Sequence, residues 1–371
     1  MNLIKKLTAA VLVLILALTV IGCHPKNEIA VTIEGQEFTS GYYMCALINA
    51  FAEAQTEVYE NLSEDEKNKV DTGEEIDYFS KKIEDKKFDA WIKDRAIEIL
   101  KEVAYFKNIC KENKVEMDED TKLTNEYYAS VVWQSFSNVF EPNGVSKETF
   151  TQYFIDGAAS DIADYAMYMT AGISTPNDYK ELYFQHLYGE KGEKAIKAAD
   201  VKKELYGNYL IADVLEVTFE NNESDEERAA VKKKLKDYKK KLEDGKMTFE
   251  EVYIDYYGEE DHKHEDVKDG PKDPHATILD ATSNYYTDLK KMDTDDAKFI
   301  EDEYGTTYAL VVKKDIKKDK YYLNTLDMSI RHTLKDAEFE KASAEAAAKL
   351  KADINDFAVD RFKVKDIDLG A

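Results

Sequence analysis

Tyr209-Leu210-Ile211-Ala212-Asp213-Val214-Leu215-Glu216-Val217-Thr218-Phe219 is the stretch on which the fold turns. It is rich in β-branched and aromatic residues, which pack well on a pleated surface, so it reads as a strand. Almost everything before it reads as helix. Tyr43, Ala46, Leu47, Ala50 and Phe51 recur at i, i+3, i+4 spacing and predict a helix over 40–61. Phe88, Trp91, Ile92, Ile99, Val103 and Phe106 do the same within a long helix over 76–113. Further helices are expected over 121–140, 146–170 and 177–188, with the polar stretch 62–75 as a loop between the first two. Only the start differs. Ile29–Ile33 alternates like a strand, Glu34-Gly35 reads as a turn, and Gln36-Glu37-Phe38 returns before Thr39 and Ser40 cap the first helix.

After residue 209 the pattern mixes. Ser224-x-x-Glu227 is a capping box that opens a lysine-rich helix over 225–243. A short helix over 248–256, a polar loop over 258–275 and a helical stretch over 285–292 follow. Lys298–Asp302 and Thr306–Lys313 then read as two strands around Tyr304-Gly305. A long helix over 318–352 and a last strand within Phe357–Ile367 close the chain. The prediction is an α+β fold. A helical body formed by residues 23–205 and 317–371 is interrupted by a mixed module over 206–316, whose strand 209–219 pairs with 306–313.

The 371 residues carry a formal charge of −25. So acidic a chain repels nucleic acid and anionic membrane surfaces alike. There are 25 Tyr and 16 Phe against 2 Trp. Tyrosine suits surfaces that bury an apolar ring and keep a polar tip wet, and it equally suits helical packing. Of the three cysteines, Cys45 and Cys110 lie in apolar helical contexts. That favours buried free thiols over the disulfide an oxidising compartment would permit. No Gly-rich phosphate loop, nucleophile elbow or HExxH motif is present, and no cofactor is expected.

The N-terminus sets the compartment. Lys5 and Lys6 precede an apolar run from Leu7 to Ile21, the length of a signal-peptide core and short for a bilayer span. It ends in Val20-Ile21-Gly22-Cys23, which resembles the lipobox of bacterial lipoproteins. That resemblance implies that residues 1–22 are a signal peptide, that Cys23 is lipidated, and that the rest of the chain is anchored on the extracytoplasmic face of the cell membrane.

Four segments, in this order, resemble the parvulin-type foldases of the cell envelope, the SurA/PrsA family. Val31–Thr39 is similar to the family's opening hairpin, and Phe106–Val115 to the end of its long helix. Leu242-Glu243-Asp244-Gly245-Lys246-Met247-Thr248-Phe249-Glu250-Glu251-Val252 resembles a "LKxGxxFxELA" segment, and Glu303–Val312 the closing strand. The resemblance implies a helical chaperone-like domain built from the N- and C-terminal segments, with a parvulin-like α+β domain inserted between them. It implies binding of unfolded segments of secreted polypeptides and peptidyl-prolyl isomerase chemistry, and leaves a homodimer open.

The residues depart from the family where it places histidines. Asp213 stands at the first position and Thr307 or Tyr308 at the second, so Asp213 and Tyr308 are the only catalytic candidates. A carboxylate replaces a titratable donor there, and the module is expected to be degenerate, with weak or lost isomerase activity. Tyr285, Tyr286 and Tyr308 are the candidates for an aromatic client cleft. His262, His264 and His275, among several carboxylates, offer a loop that could capture Zn²⁺, though a solvated insertion explains them as well. Lys232–Lys234 and Lys239–Lys241 read as the solvated side of a helix packed through Leu235, Tyr238 and Leu242. Two rival functions are an active isomerase and a solute-binding lipoprotein. The latter fits poorly, because strand–helix alternation is missing before residue 206.

Overall fold

A computed structural model describes residues 28–72, 76–158, 178–219, 224–258, 271, 275–302 and 304–368. The signal segment, Cys23, His262, His264 and most of the second half of the helix expected over 146–170 lie outside them. The chain divides into two compact units, Met1–Leu187 with Ala337–Ala371, and Tyr188–Asp336.

The first unit opens with β1 (Ile29–Ile33) and β2 (Gln36–Thr39), antiparallel across Glu34 and Gly35. Both turn residues have positive φ, 49° and 81°. That is the twist a two-residue hairpin requires, and glycine meets it without cost at the second position. Thr39 caps α1 (Ser40–Glu60), whose apolar side is almost wholly buried. Then the structure departs from expectation. Residues 62–75 contain a helix, α2 (Glu64–Asp71), held by a capping box between Ser63 and Glu66. Its exposed surface carries no apolar stripe, so periodicity gave no sign of it.

The helix expected over 76–113 begins only at Phe88. Tyr78–Ser80 form a 3-10 turn, and β3 (Lys82–Ile83) pairs with β4 (Lys86–Lys87) across Glu84 and Asp85. Both of those residues have positive φ, which no α-helix tolerates. The turn lacks the Gly or Asn that usually announces one. From there α3 (Phe88–Glu112), α4 (Glu119–Phe140) and α5 (Lys147–Ile155) build a bundle with α1. Its core includes Tyr43, Leu47, Phe88, Ile92, Phe150 and Phe154. Each such side chain is worth about 1.5–3 kcal/mol of burial. Gly157, with φ +84°, follows α5, and α6 (Tyr179–Tyr188) resumes beyond the gap in the description.

In the second unit α7 (Ala198–Asn208) leads into β5 (Leu210–Thr218). The two helices α8 (Asp225–Glu243) and α9 (Phe249–Tyr257) each start with a capping box. A strand the sequence reading missed comes next: β6 (Ala276–Leu279), at the end of the expected loop, pairs with β5. The short α10 (Tyr286–Leu289), β7 (Ala297–Glu301) and β8 (Thr307–Lys314) complete a four-stranded antiparallel sheet ordered β6-β5-β8-β7. β5 and β8 are its central pair, as the pattern required. Leu215, Leu310 and Tyr308 pack with α8 and α9 on one face, while Ala212, Val311 and Leu279 lie with α10 on the other.

The helix α11 (Lys320–Ala348) belongs to the second unit up to Asp336 and to the first from Ala337. Arg331, 2% exposed, donates to the carbonyls of Tyr188 and Ile196 and pairs with Asp327. The C-terminal strand is not within Phe357–Ile367. It is β9 (Ala352–Ile354), added to β1 in a sheet ordered β2-β1-β9. Asn355 then caps the short α12 (Asp356–Val359), and a 3-10 turn follows at Val364–Asp366. Asn143 closes the tail, donating to the Asp368 carbonyl and accepting from its N–H. The last residues thus fold with the first, in an architecture of mixed α+β type with several small sheets.

Candidate functional site

A large opening lies in the first unit. It is a groove of about 1180 Å³ walled by the β1–β2 turn, the end of α3, the start of α4 and the outer side of α5. Five lysines and six glutamates line it, so the groove is close to neutral in a chain of net charge −25. Asp118 caps α4 through the Thr121 N–H at 2.7 Å, which holds its carboxyl below the usual range and directs Glu119, Lys122 and Glu126 into the groove. On the same helix Leu123 and Tyr127 are 60% and 65% exposed. They stand one turn apart and form an exposed apolar strip of α4 that is not part of the groove's lining.

A side slot of about 330 Å³ continues between β2 and α5. It is lined by Gln36, Glu37, Phe38 and Thr39 in succession. The Gln36 amide fastens β2 to α3 by donating to Asn108 Oδ1 at 2.8 Å and to the Ala104 carbonyl at 3.3 Å. At the back of the slot Asp156 is 4% exposed and fully supported. Tyr42 Oη donates to it at 3.0 Å, Lys107 Nζ at 2.8 Å and Gln152 Nε2 at 2.8 Å. Burial and then the Asp156 charge push the Tyr42 hydroxyl well above its ordinary pKa, so Tyr42 stays a donor. These three partners lock α1, α3 and α5 around the slot, which makes it a rigid wall.

The residues singled out in the sequence are placed differently. Asp213 is fully buried, on the β5 face shared with Leu215, and Lys314 Nζ pairs with its Oδ2 at 2.6 Å. Tyr308 is 5% exposed and packs against Phe219 at 4.8 Å and Phe299 at 5.7 Å. Thr307 pairs with Thr218 in the sheet, and its N–H donates to Asp302 Oδ1. Tyr285 is on the opposite face of the sheet from Tyr308, with its hydroxyl donating to the Glu216 carboxylate. Burial and that hydrogen bond both raise its pKa. Tyr286 is also buried, with Lys290 5.0 Å above its ring. The three tyrosines therefore do not converge on one cleft.

His275, the one described member of the histidine loop, pairs with Glu250 at 2.7 Å and packs on Tyr253 and Phe249. Among the described residues no three His, Cys, Asp or Glu side chains gather as metal ligands. Cys45 and Cys110 are free and buried, and desolvation pushes the Cys110 thiol up to about 12, so neither is a ready nucleophile. No described helix is long and apolar enough to cross a membrane.

The groove itself escaped the sequence reading. Its charged side chains come from four separate elements and look like ordinary solvated positions in each. No protein-family model matches the chain, and no curated protein matches it significantly.

Proposed function

We propose that this chain is a lipid-anchored extracytoplasmic chaperone that holds unfolded segments of secreted proteins in the groove of its first unit. The observation that carries the reading is the groove itself: about 1180 Å³, open and near neutral, with Val115, Met117 and Ile155 among its lining. Apolar contacts are non-directional and tolerate many sequences, which suits a site that must accept varied clients. A lined wall without charge bias neither attracts nor rejects a segment by its net charge.

The same reading assigns the sheet of the second unit a structural role with weak or no isomerase activity. Rotation about a prolyl bond faces a barrier of about 18–20 kcal/mol, and lowering it requires groups that reach the amide. Asp213 is fully buried and held by Lys314, and Tyr308 is packed among aromatic rings. Neither is poised to touch a bound peptide.

The deciding experiment is aggregation of an unfolded client in the presence of the purified mature protein. Suppression at near-stoichiometric ratios, with no thermal shift from small solutes, is expected. Absence of suppression overturns the chaperone reading. Robust turnover of a proline peptide that disappears in Asp213→Ala overturns the assignment of the sheet.

A further inference from the structure

Building on the groove reading, we infer that an extended client segment docks as an added strand along the outer edge of β2. A strand's side chains alternate between the two faces of its sheet. Gln36, Glu37, Phe38 and Thr39 nevertheless all line one slot. A cavity that four consecutive residues share runs along the strand's edge, where the backbone is exposed. β2 is the outermost strand of its sheet, and no other described strand pairs with its outer side.

The register says which backbone groups face the slot. Ile33 and Gln36 flank a two-residue turn and are therefore the hydrogen-bonded pair of the hairpin. The next pair, Thr32 with Glu37, is non-hydrogen-bonded, so the Glu37 N–H and C=O point away from β1. They offer a donor and an acceptor to any extended backbone, whatever its side chains. Gln36, bonded to Asn108 and Ala104, fixes the strand so that this edge is presented without prior ordering.

Charge identifies the occupant. A second copy of this chain would bring another net −25 towards the first and be repelled. A less acidic polypeptide meets a slot whose lining holds Lys107 against Glu37, Glu148 and Asp156, an acidic excess that favours a neutral or basic segment. An added strand projects alternate side chains towards the slot wall, where Phe38 and Tyr42 are among the lining residues, and towards open solvent.

The test is binding of a fluorescent, unstructured peptide of alternating apolar and polar residues to the mature protein, to Glu37→Pro and to Glu37→Ala. Proline removes the outward N–H and leaves the β1–β2 ladder intact, because that N–H is not part of it. Losing the donor and crowding its neighbour should weaken binding about tenfold, whereas Glu37→Ala should stay within about twofold. Bound peptide should also slow hydrogen exchange at the Glu37 amide. If Glu37→Pro proves misfolded by circular dichroism, the same peptide with alternate amides N-methylated replaces it, and loss of affinity for wild type is then expected. Unchanged affinity in either arm, with wild type binding normally, overturns the added strand and leaves the chaperone reading standing. No binding by wild type overturns both. A dimer in sedimentation that Glu37→Pro dissolves would identify the occupant as a second copy and overturn the proposal.

Discussion

Lys314 Nζ lies 2.6 Å from Asp213 Oδ2, and the carboxylate it holds has no exposure to solvent. The two residues sit on the central strands of the second unit. Asp213 faces Val312 and Ile211 faces Lys314 in the β5–β8 register, so the pair are diagonal neighbours on one face. A charged carboxylate between the Leu215 cluster and the Ile211 cluster is costly to bury, and the ammonium that reaches it offsets that cost. Lys314 remains 27% exposed at its side chain, which keeps the ammonium partly hydrated while it serves a dry partner.

Removing the cation should therefore cost more than removing the pair. Lys314→Met takes a counter-charge away from a buried carboxylate, and we expect a loss of about 3 kcal/mol in urea unfolding. The double variant Asp213→Val with Lys314→Met should recover most of that loss, since a β-branched residue suits β5. A double variant as unstable as the single one would show that the pair is not the source of the cost.

A second prediction concerns pH. Asp178 precedes α6 and accepts from the Glu181 N–H at 2.8 Å, yet burial pushes its carboxyl up from 3.8 to about 6. Lys180 and the Glu181 N–H oppose that shift, and the Glu181 carboxylate adds to it. A carboxyl raised in the folded state binds more protons there than in the unfolded chain. Its stabilising contribution is complete below about pH 4 and is lost as the pH rises through about 6. Asparagine caps a helix as well and carries no charge. Relative to wild type, Asp178→Asn should gain on the order of 2 kcal/mol between pH 4 and pH 7. Urea unfolding at several pH values reads this difference directly. A difference that stays flat would place the Asp178 carboxyl in water.

The same aspartate constrains a glycine. A Cβ on Gly157 would come 2.5 Å from Asp178 Oδ2 and 2.9 Å from its Cβ, and φ there is +84°. Gly157→Ala therefore meets both backbone strain and a clash that a side-chain rotation cannot relieve. We expect a loss of about 3 kcal/mol, of which Asp178→Gly in the same chain, which removes every clashing atom and still caps a helix, restores the part due to the clash. Thermal and urea unfolding of the two variants measure that coupling. Additive losses would mean that strain alone acts.

What the sequence revealed of this fold follows from which forces leave a periodic trace. β5, β7, β8 and the helices of the bundle bury an apolar side, and their residues recur at the matching period. The central pairing of β5 with β8 was legible for that reason. Three features left no such trace. The α2 helix is exposed and rests on the Ser63–Glu66 capping box. The β3–β4 turn uses Glu84 and Asp85 at positive φ in place of glycine. β9 is three residues long and is a strand because β1 is there to receive it. The placement of the tyrosines was not legible for a related reason: Tyr308 lies on β8 and packs with α8 and α9, whereas Tyr285, in the turn before α10, packs on the other face of the sheet, and no local pattern announces either. The groove needed tertiary structure outright, because residues 34–37, 107–126 and 147–152 meet only in the folded unit.

The last prediction tests the groove through its charge. Lys111 and Lys114 line it where α3 ends, and Lys114 already holds a positive φ of 56°, which glutamate meets at the same cost as lysine. Lys111→Glu with Lys114→Glu turns a near balance of lysines and glutamates into a marked acidic excess. Reversing Lys111 also opposes the negative end of the α3 dipole, at a cost of about 0.5 kcal/mol, too little to unfold the unit. If clients lie in the groove, the variant should bind an acidic unfolded peptide about tenfold more weakly and a basic one more tightly, with the neutral peptide nearly unaffected. Raising the salt to about 1 M shortens the screening length to about 3 Å and should collapse the discrimination, while apolar contact at Val115, Met117 and Ile155 persists. Fluorescence anisotropy with the three peptides at low and high salt gives the whole pattern. Equal loss for all three would point to a structural defect, and no change for any would put the client elsewhere on the molecule.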